Sequence, residues 1–89
     1  MLALTCDVAG ESMQAARTSD MIFAVPELVA YLSRFCTLEP GDLIFTGTPS
    51  GVGSTRDPRR YLKEGEEIVS RIEGIGTMVN RCVAPRAAD

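Results

Sequence analysis

Leu2, Leu4, Cys6 and Val8 alternate with smaller or polar residues, and this period of two predicts a strand over "LALTCDV". The "AGE" that follows gives a turn at Gly10, with a second short strand from Ser12 to Gln14. Near Val25 the period changes. Val25, Leu28, Val29, Leu32, Phe35 and Cys36 fall at i, i+3, i+4, i+7, i+10 and i+11, a single apolar stripe that predicts a helix over "VPELVAYLSRFC". Pro26 suits the first helical position, and Glu27 faces the positive end of the helix dipole. Pro40-Gly41 in "LEPGD" ends this segment in a turn. "LIFT", Leu43 to Thr46, reads as a short buried strand, followed by the glycine-rich "GTPSGVG" and the polar "STRDPRR". "EEIVSRIEGIGTMVNRCVA" predicts two strands broken at Gly74 to Gly76, and "PRAAD" a frayed tail. The pattern is mostly β with one helix, an α+β chain. A long polar loop in so small a unit marks a functional segment.

Length limits what this pattern can build. Eighty-nine residues allow one small domain, which buries only about 60% of its unfolded surface. Hydrophobic residues make up 45%, which places the chain among folded rather than disordered sequences. The net charge of −3 comes from well-mixed acids and bases, so neither nucleic acid nor a membrane surface is an expected partner. No apolar run approaches the roughly 20 residues that span a bilayer. The start lacks a basic n-region and does not read as a signal peptide. Cys6, Cys36 and Cys82 are odd in number and form no CxxC, so buried reduced thiols in a cytoplasmic protein are expected. The chain has no histidine, which excludes Ser-His and Cys-His catalysis and any His-based metal site within it.

The glycine-rich loop is the main candidate for chemistry. It is not a P-loop, because five residues separate Gly47 from Gly53 and no lysine follows. It is not a dinucleotide fingerprint, because Arg56 stands where the third glycine belongs. Its glycines permit close backbone approach to a ligand, and Thr46 and Thr48 add hydroxyls, a set suited to a carboxylate or keto oxygen. A plain tight loop is the competing reading. Glu64 and Glu66 have the spacing of a metal-carboxylate pair but read better as a solvated turn. "RDPRR" reads as a solvated loop or a lid attracting anions, Asp20 as the cap of a short turn, and Asp42 as the fixer of the Pro-Gly turn. Gln14 and Thr18 are polar side chains able to face a site or simply to support the sheet.

Taken in order, the Gln14, Thr18 and Met21-Ile22-Phe23 series, "LEPGD", "TGTPSGVG" and "IEGIG" resemble the C-terminal part of the fumarylacetoacetate hydrolase family. The likeness runs from about Leu4 to Val83. It implies that residues 1–84 are the C-terminal part of a catalytic domain with a mixed β-sandwich or roll, followed by a tail at 85–89. It implies a homodimer acting on small 2-oxo or 1,3-dioxo acids by hydrolysis, decarboxylation or isomerisation. Mg²⁺ or Mn²⁺ would chelate the substrate's oxygens. Thr48 matches the family's substrate-contacting threonine, with Gly47 before it in the turn and Thr46 and Gln14 as further substrate contacts. The family's metal-ligating carboxylates and its catalytic residues match nothing in this chain, so neither a catalytic nor a metal-ligating residue is expected here. The chain is then inactive alone, and a complementing N-terminal fragment is an expected partner beside the homodimer. A non-catalytic remnant and an oligomerising or binding module are the alternatives. Ala9 stands where the family commonly has Asn, and Arg17 where a small or polar residue is usual.

Overall fold

The computed structural model describes residues 1–85. The alternation near the N-terminus becomes β1 (Ala3–Val8) and β2 (Glu11–Arg17), an antiparallel hairpin. Two residues join them, and both have positive φ, 50° at Ala9 and 79° at Gly10. Such a turn follows the right-handed twist of the strands, and it suits Asn-Gly better than Ala-Gly because the short polar Asn side chain hydrogen-bonds locally in the left-handed region, which offsets the crowding of its Cβ. Ala9→Asn is therefore expected to stabilise the protein by about 0.5–1 kcal/mol. The check is a higher urea midpoint at unchanged slope; an equal or lower midpoint contradicts the turn's geometry.

The second half supplies β3 (Glu67–Ile72) and β4 (Gly76–Arg81), with the turn at Glu73–Ile75 where the glycines predicted a break. All neighbours are antiparallel, in the order β2-β1-β3-β4. β2 runs three residues beyond the Ser12–Gln14 expected, because Ala15, Ala16 and Arg17 continue the ladder opposite Thr5, Leu4 and Ala3. Asp20 caps the next short turn by accepting from the Arg17 N–H at 2.9 Å, and Asp42 accepts from the Glu39 N–H at 2.7 Å across the Pro-Gly turn.

Two expectations need correction. The helix, α1 (Val25–Leu32), stops four residues short of Cys36. It starts where Pro26 predicted, but Arg34 and Phe35 donate to the carbonyls three residues back, tightening the last turn. Its stripe is not buried among the described residues: Val25, Val29 and Phe35 are all exposed. Among the described residues the far end of the stripe lacks the cover that would hold a further turn, with Phe35 71% exposed. The second correction is "LIFT". Leu43–Thr46 is not a strand, and Leu43 and Phe45 are 84% and 94% exposed. A strand exists only where a neighbour takes its N–H and C=O groups, and no described segment does so here.

The core is correspondingly thin. Val8 and Met13 are the buried apolar side chains. The Cα radius of gyration is 16.3 Å, against about 12 Å for a compact chain of this length. The expected tail at 85–89 lies, beyond Pro85, outside the described residues.

Candidate functional site

The glycine loop returns across the sheet onto β1, β2 and β3. What holds it there is a defect in the β1–β2 ladder. Cys6 pairs with Gln14 and Asp7 pairs with Ser12, so Met13 has no partner on β1. This β-bulge leaves the Met13 carbonyl for another donor. Arg56 supplies it, with Nη2 donating to the Met13 carbonyl at 2.6 Å and Nε donating to the Gly51 carbonyl at 3.2 Å. Close contact follows: a Cβ on Gly51 would lie 1.9 Å from the Met13 oxygen.

Beside the bulge, Gln14 meets the loop. Its Nε2 donates to Thr48 Oγ1 at 2.8 Å and to the Pro49 carbonyl at 2.9 Å. Because a carbonyl only accepts, the Pro49 contact fixes which end of the Gln14 amide faces the loop. Two free capacities result. Thr48 Oγ1 accepts from Gln14, so its own hydroxyl proton is available to a further acceptor. Gln14 Oε1 is available to a donor. The pair edges a cleft of about 240 Å³ whose floor is Val8, Met13 and Ile68 and whose rim includes Gln14, Thr48 and Gly51. An apolar floor with a few convergent polar groups is the usual form of a small-molecule site.

Of the predicted residues, the structure brings Gln14 and Thr48 together across 34 positions of sequence. Gly47, with φ 94°, makes the turn into Thr48. Thr46 is exposed and makes no side-chain hydrogen bond among the described residues. Thr18 belongs to the sheet instead: its Oγ1 accepts from the Leu2 N–H at 2.9 Å. The loop's glycines also differ from the expectation of ligand approach. Gly51 is pressed on β2, and a Cβ on Gly53 would lie 1.8 Å from the Arg60 carbonyl, so both are used for packing within the chain.

"RDPRR" is not simply solvated. Arg56 and Arg60 are half-buried fasteners. The Arg60 N–H donates to the Gly53 carbonyl at 2.9 Å, and its guanidinium grips both oxygens of Glu66 while Nε lies 3.9 Å from Glu11. Glu66 also accepts from the Lys63 N–H at 2.6 Å. The hydrogen bonds from Arg60, then the Lys63 N–H, hold the Glu66 carboxyl below the usual carboxylate range, and Glu66 in turn raises Arg60. The solvated-turn reading of Glu64 and Glu66 therefore needs revision for Glu66. It is committed to the arginine and is not a spare metal ligand. Sequence reasoning missed this pairing, and the only available signal was two arginines following a glycine loop within a few residues of an acid. A second concavity, about 580 Å³, is lined by Glu64, Gly65, Glu66, Glu67, Val69 and the Ala9-Gly10 turn. Among the described residues no three His, Cys, Asp or Glu side chains gather to hold a metal.

Sheet order, docked glycine loop and single helix define a partial fumarylacetoacetate hydrolase-like fold, mostly antiparallel sheet. The family model described as fumarylacetoacetate (FAA) hydrolase C-terminal matches residues 1–83, and the chain belongs to that family. It is 46% identical over 82 residues to the mitochondrial oxaloacetate tautomerase FAHD2A of Bos taurus, covering 92% of this chain and 26% of that protein. It is 46% identical over 87 residues to the 4-hydroxyphenylacetate degradation bifunctional isomerase/decarboxylase of Escherichia coli, covering 98% of this chain and 19% of that one. Among solved structures, the fumarylpyruvate hydrolase of Pseudomonas aeruginosa, in complex with Mn²⁺ and pyruvate, superposes with a TM-score of 0.82 at 40% identity, covering 94% of this chain and 33% of that one. The chain thus spans about a quarter of the length of the curated relatives first matched. Family members act as hydrolases, isomerases and decarboxylases on small oxo-acids.

Proposed function

We propose that residues 1–84 form the C-terminal part of a divalent-metal-dependent enzyme acting on small 2-oxo or 1,3-dioxo acids, with a tail at 85–89. In this reading the chain contributes substrate contacts, and Mg²⁺ or Mn²⁺ is held by carboxylates outside it. The observation that carries the reading is the Gln14–Thr48 hydrogen bond, which leaves the threonine proton available to an acceptor beside an apolar cleft. A carboxylate or keto oxygen is such an acceptor. Gly47 shapes the turn, and Thr46 lies two residues before Thr48 as a weaker contact. The residues of this chain do not fit a metal site, since no suitable cluster exists among those described and the chain lacks histidine. The manganese and pyruvate in the Pseudomonas relative support metal dependence. Three free thiols and the lack of any described helix able to cross a membrane support the cytoplasm as the compartment. The bovine relative is mitochondrial by name.

The test is Thr48→Val, which keeps shape and removes the hydroxyl. Oxalate affinity, read by calorimetric titration, is expected to fall about tenfold or more, the worth of one hydrogen bond to a charged group. Unchanged affinity rules the loop out as the acid's contact.

The exposed apolar surface supports a second reading. Leu43, Phe45, Ile22 and the α1 stripe present to solvent what a folded domain covers. A non-catalytic remnant that dimerises with itself or pairs with a separate N-terminal fragment would cover it. The size of the native polypeptide in source cells separates the readings: a band well above 9.6 kDa favours the enzyme part, and one at 9.6 kDa the remnant.

A further inference from the structure

We infer that Arg56 is the positioning residue of the Gln14–Thr48 pair, a clamp that sets where the glycine loop lies on the sheet. The inference rests on the reading of that pair as an oxyacid contact, but its geometry stands apart from it. The bulge leaves Met13 without a partner on β1 and turns its carbonyl to the loop. Gly51 presses on the same carbonyl, with φ 108° and no room for a Cβ. Close approach places two backbone carbonyls, those of Met13 and Gly51, side by side. Their oxygens repel unless a donor lies between them. The Arg56 guanidinium bridges both, at 2.6 and 3.2 Å. A guanidinium does this because its donors diverge in one rigid plane, whereas an ammonium is a single point of charge.

The clamp lies one residue from Gln14 along β2 and three from Thr48 along the loop. The two clamped carbonyls and the two members of the pair therefore belong to the same short stretches of backbone. No other hydrogen bond among those described joins β2 to the loop except those of Gln14 itself. Among the described residues no carboxylate forms an ion pair with Arg56, so its guanidinium is committed to the two carbonyls.

Arg56→Lys keeps the charge and loses the bridge; Arg56→Gln loses both. The readout is the side-chain amide of Gln14 by NMR, whose protons are slowed in exchange while bonded to Thr48 and Pro49. In Arg56→Lys their exchange is expected to quicken about tenfold, with the ladder amides between β1 and β3 unchanged. Oxalate affinity falls in parallel. Ladder amides that loosen equally in both variants would mean a general stabiliser and overturn the assignment. So would a Gln14 amide indifferent to either substitution, even where the unaltered protein binds oxalate. If the unaltered protein, joined to the metal-holding part of the enzyme and supplied with Mg²⁺, binds no oxalate while its Gln14 amide responds to Arg56, the clamp stands and the oxyacid reading falls.

Discussion

Gly51→Ala and Gly53→Ala are each expected to cost about 3 kcal/mol of stability, where Gly47→Ala costs about 1 kcal/mol. All three belong to one loop, and the difference lies in what surrounds each. A Cβ at Gly51 would lie 1.9 Å from the Met13 oxygen and one at Gly53 1.8 Å from the Arg60 oxygen. Both obstacles are backbone, which cannot swing aside as a side chain does. Gly53 isolates the effect of space, since its φ is not in the left-handed region, whereas Gly51 adds φ 108°. Gly47 isolates the effect of conformation, with φ 94° and nothing within 4 Å. The three substitutions thus separate contact from strain. Urea midpoints measure them. If Gly51→Ala and Gly53→Ala are no worse than Gly47→Ala, the loop does not rest on β2 and on the Arg60 segment as described. The Gln14 amide then has no fixed partner either.

This division of labour shows which parts of the structure the chain's pattern encodes. The strands were legible because each is paired on a described neighbour, so the alternation at Leu4, Cys6 and Val8 has a physical cause within the chain. The start of α1 was legible because Pro26 acts locally. Its end was not, because an apolar stripe extends a helix only when something packs on it, and here Val29 and Phe35 face solvent. Leu43 to Thr46 failed for the same reason: high strand propensity without a partner strand. The candidate site divides similarly. Thr48 was legible as a hydroxyl in a glycine loop and Gln14 as a polar side chain able to face a site, and the family resemblance gave both a role; that they touch is a property of the fold, set by a bulge that no periodicity announces. Arg56 and Arg60 were read as solvated because charge in a polar loop usually is. Their acceptors are carbonyls and a carboxylate brought near by chain reversal, and composition carries no trace of that.

Glu66→Ala is expected to release the segment from Arg60 to Glu66 and to flatten the protein's stability in acid. The carboxylate accepts from Arg60 through both oxygens and from the Lys63 N–H, so its removal leaves a half-buried guanidinium without its main partner. Losing one member of a shielded pair costs more than losing an exposed one. The sign with pH follows from the direction of the shift. Arg60 first, then the Lys63 N–H, hold the Glu66 carboxyl below its ordinary range. A carboxyl shifted down adds stability above its unfolded value of about 4.3 and loses it as pH falls through the lower folded value. Between pH 7 and about 5 the gap in urea midpoint between the unaltered protein and Glu66→Ala should be constant. Below about pH 4.5 it should narrow, because the unaltered protein then forfeits what the variant already lacks. Glu64→Ala is the control, since Glu64 is exposed in the same turn and makes no described bond. A gap that holds its width down to pH 3, or a Glu64→Ala curve that matches Glu66→Ala, would show that the ion pair does not fasten this loop. In that case Arg60 holds the segment through its backbone N–H to Gly53 and its approach to Glu11.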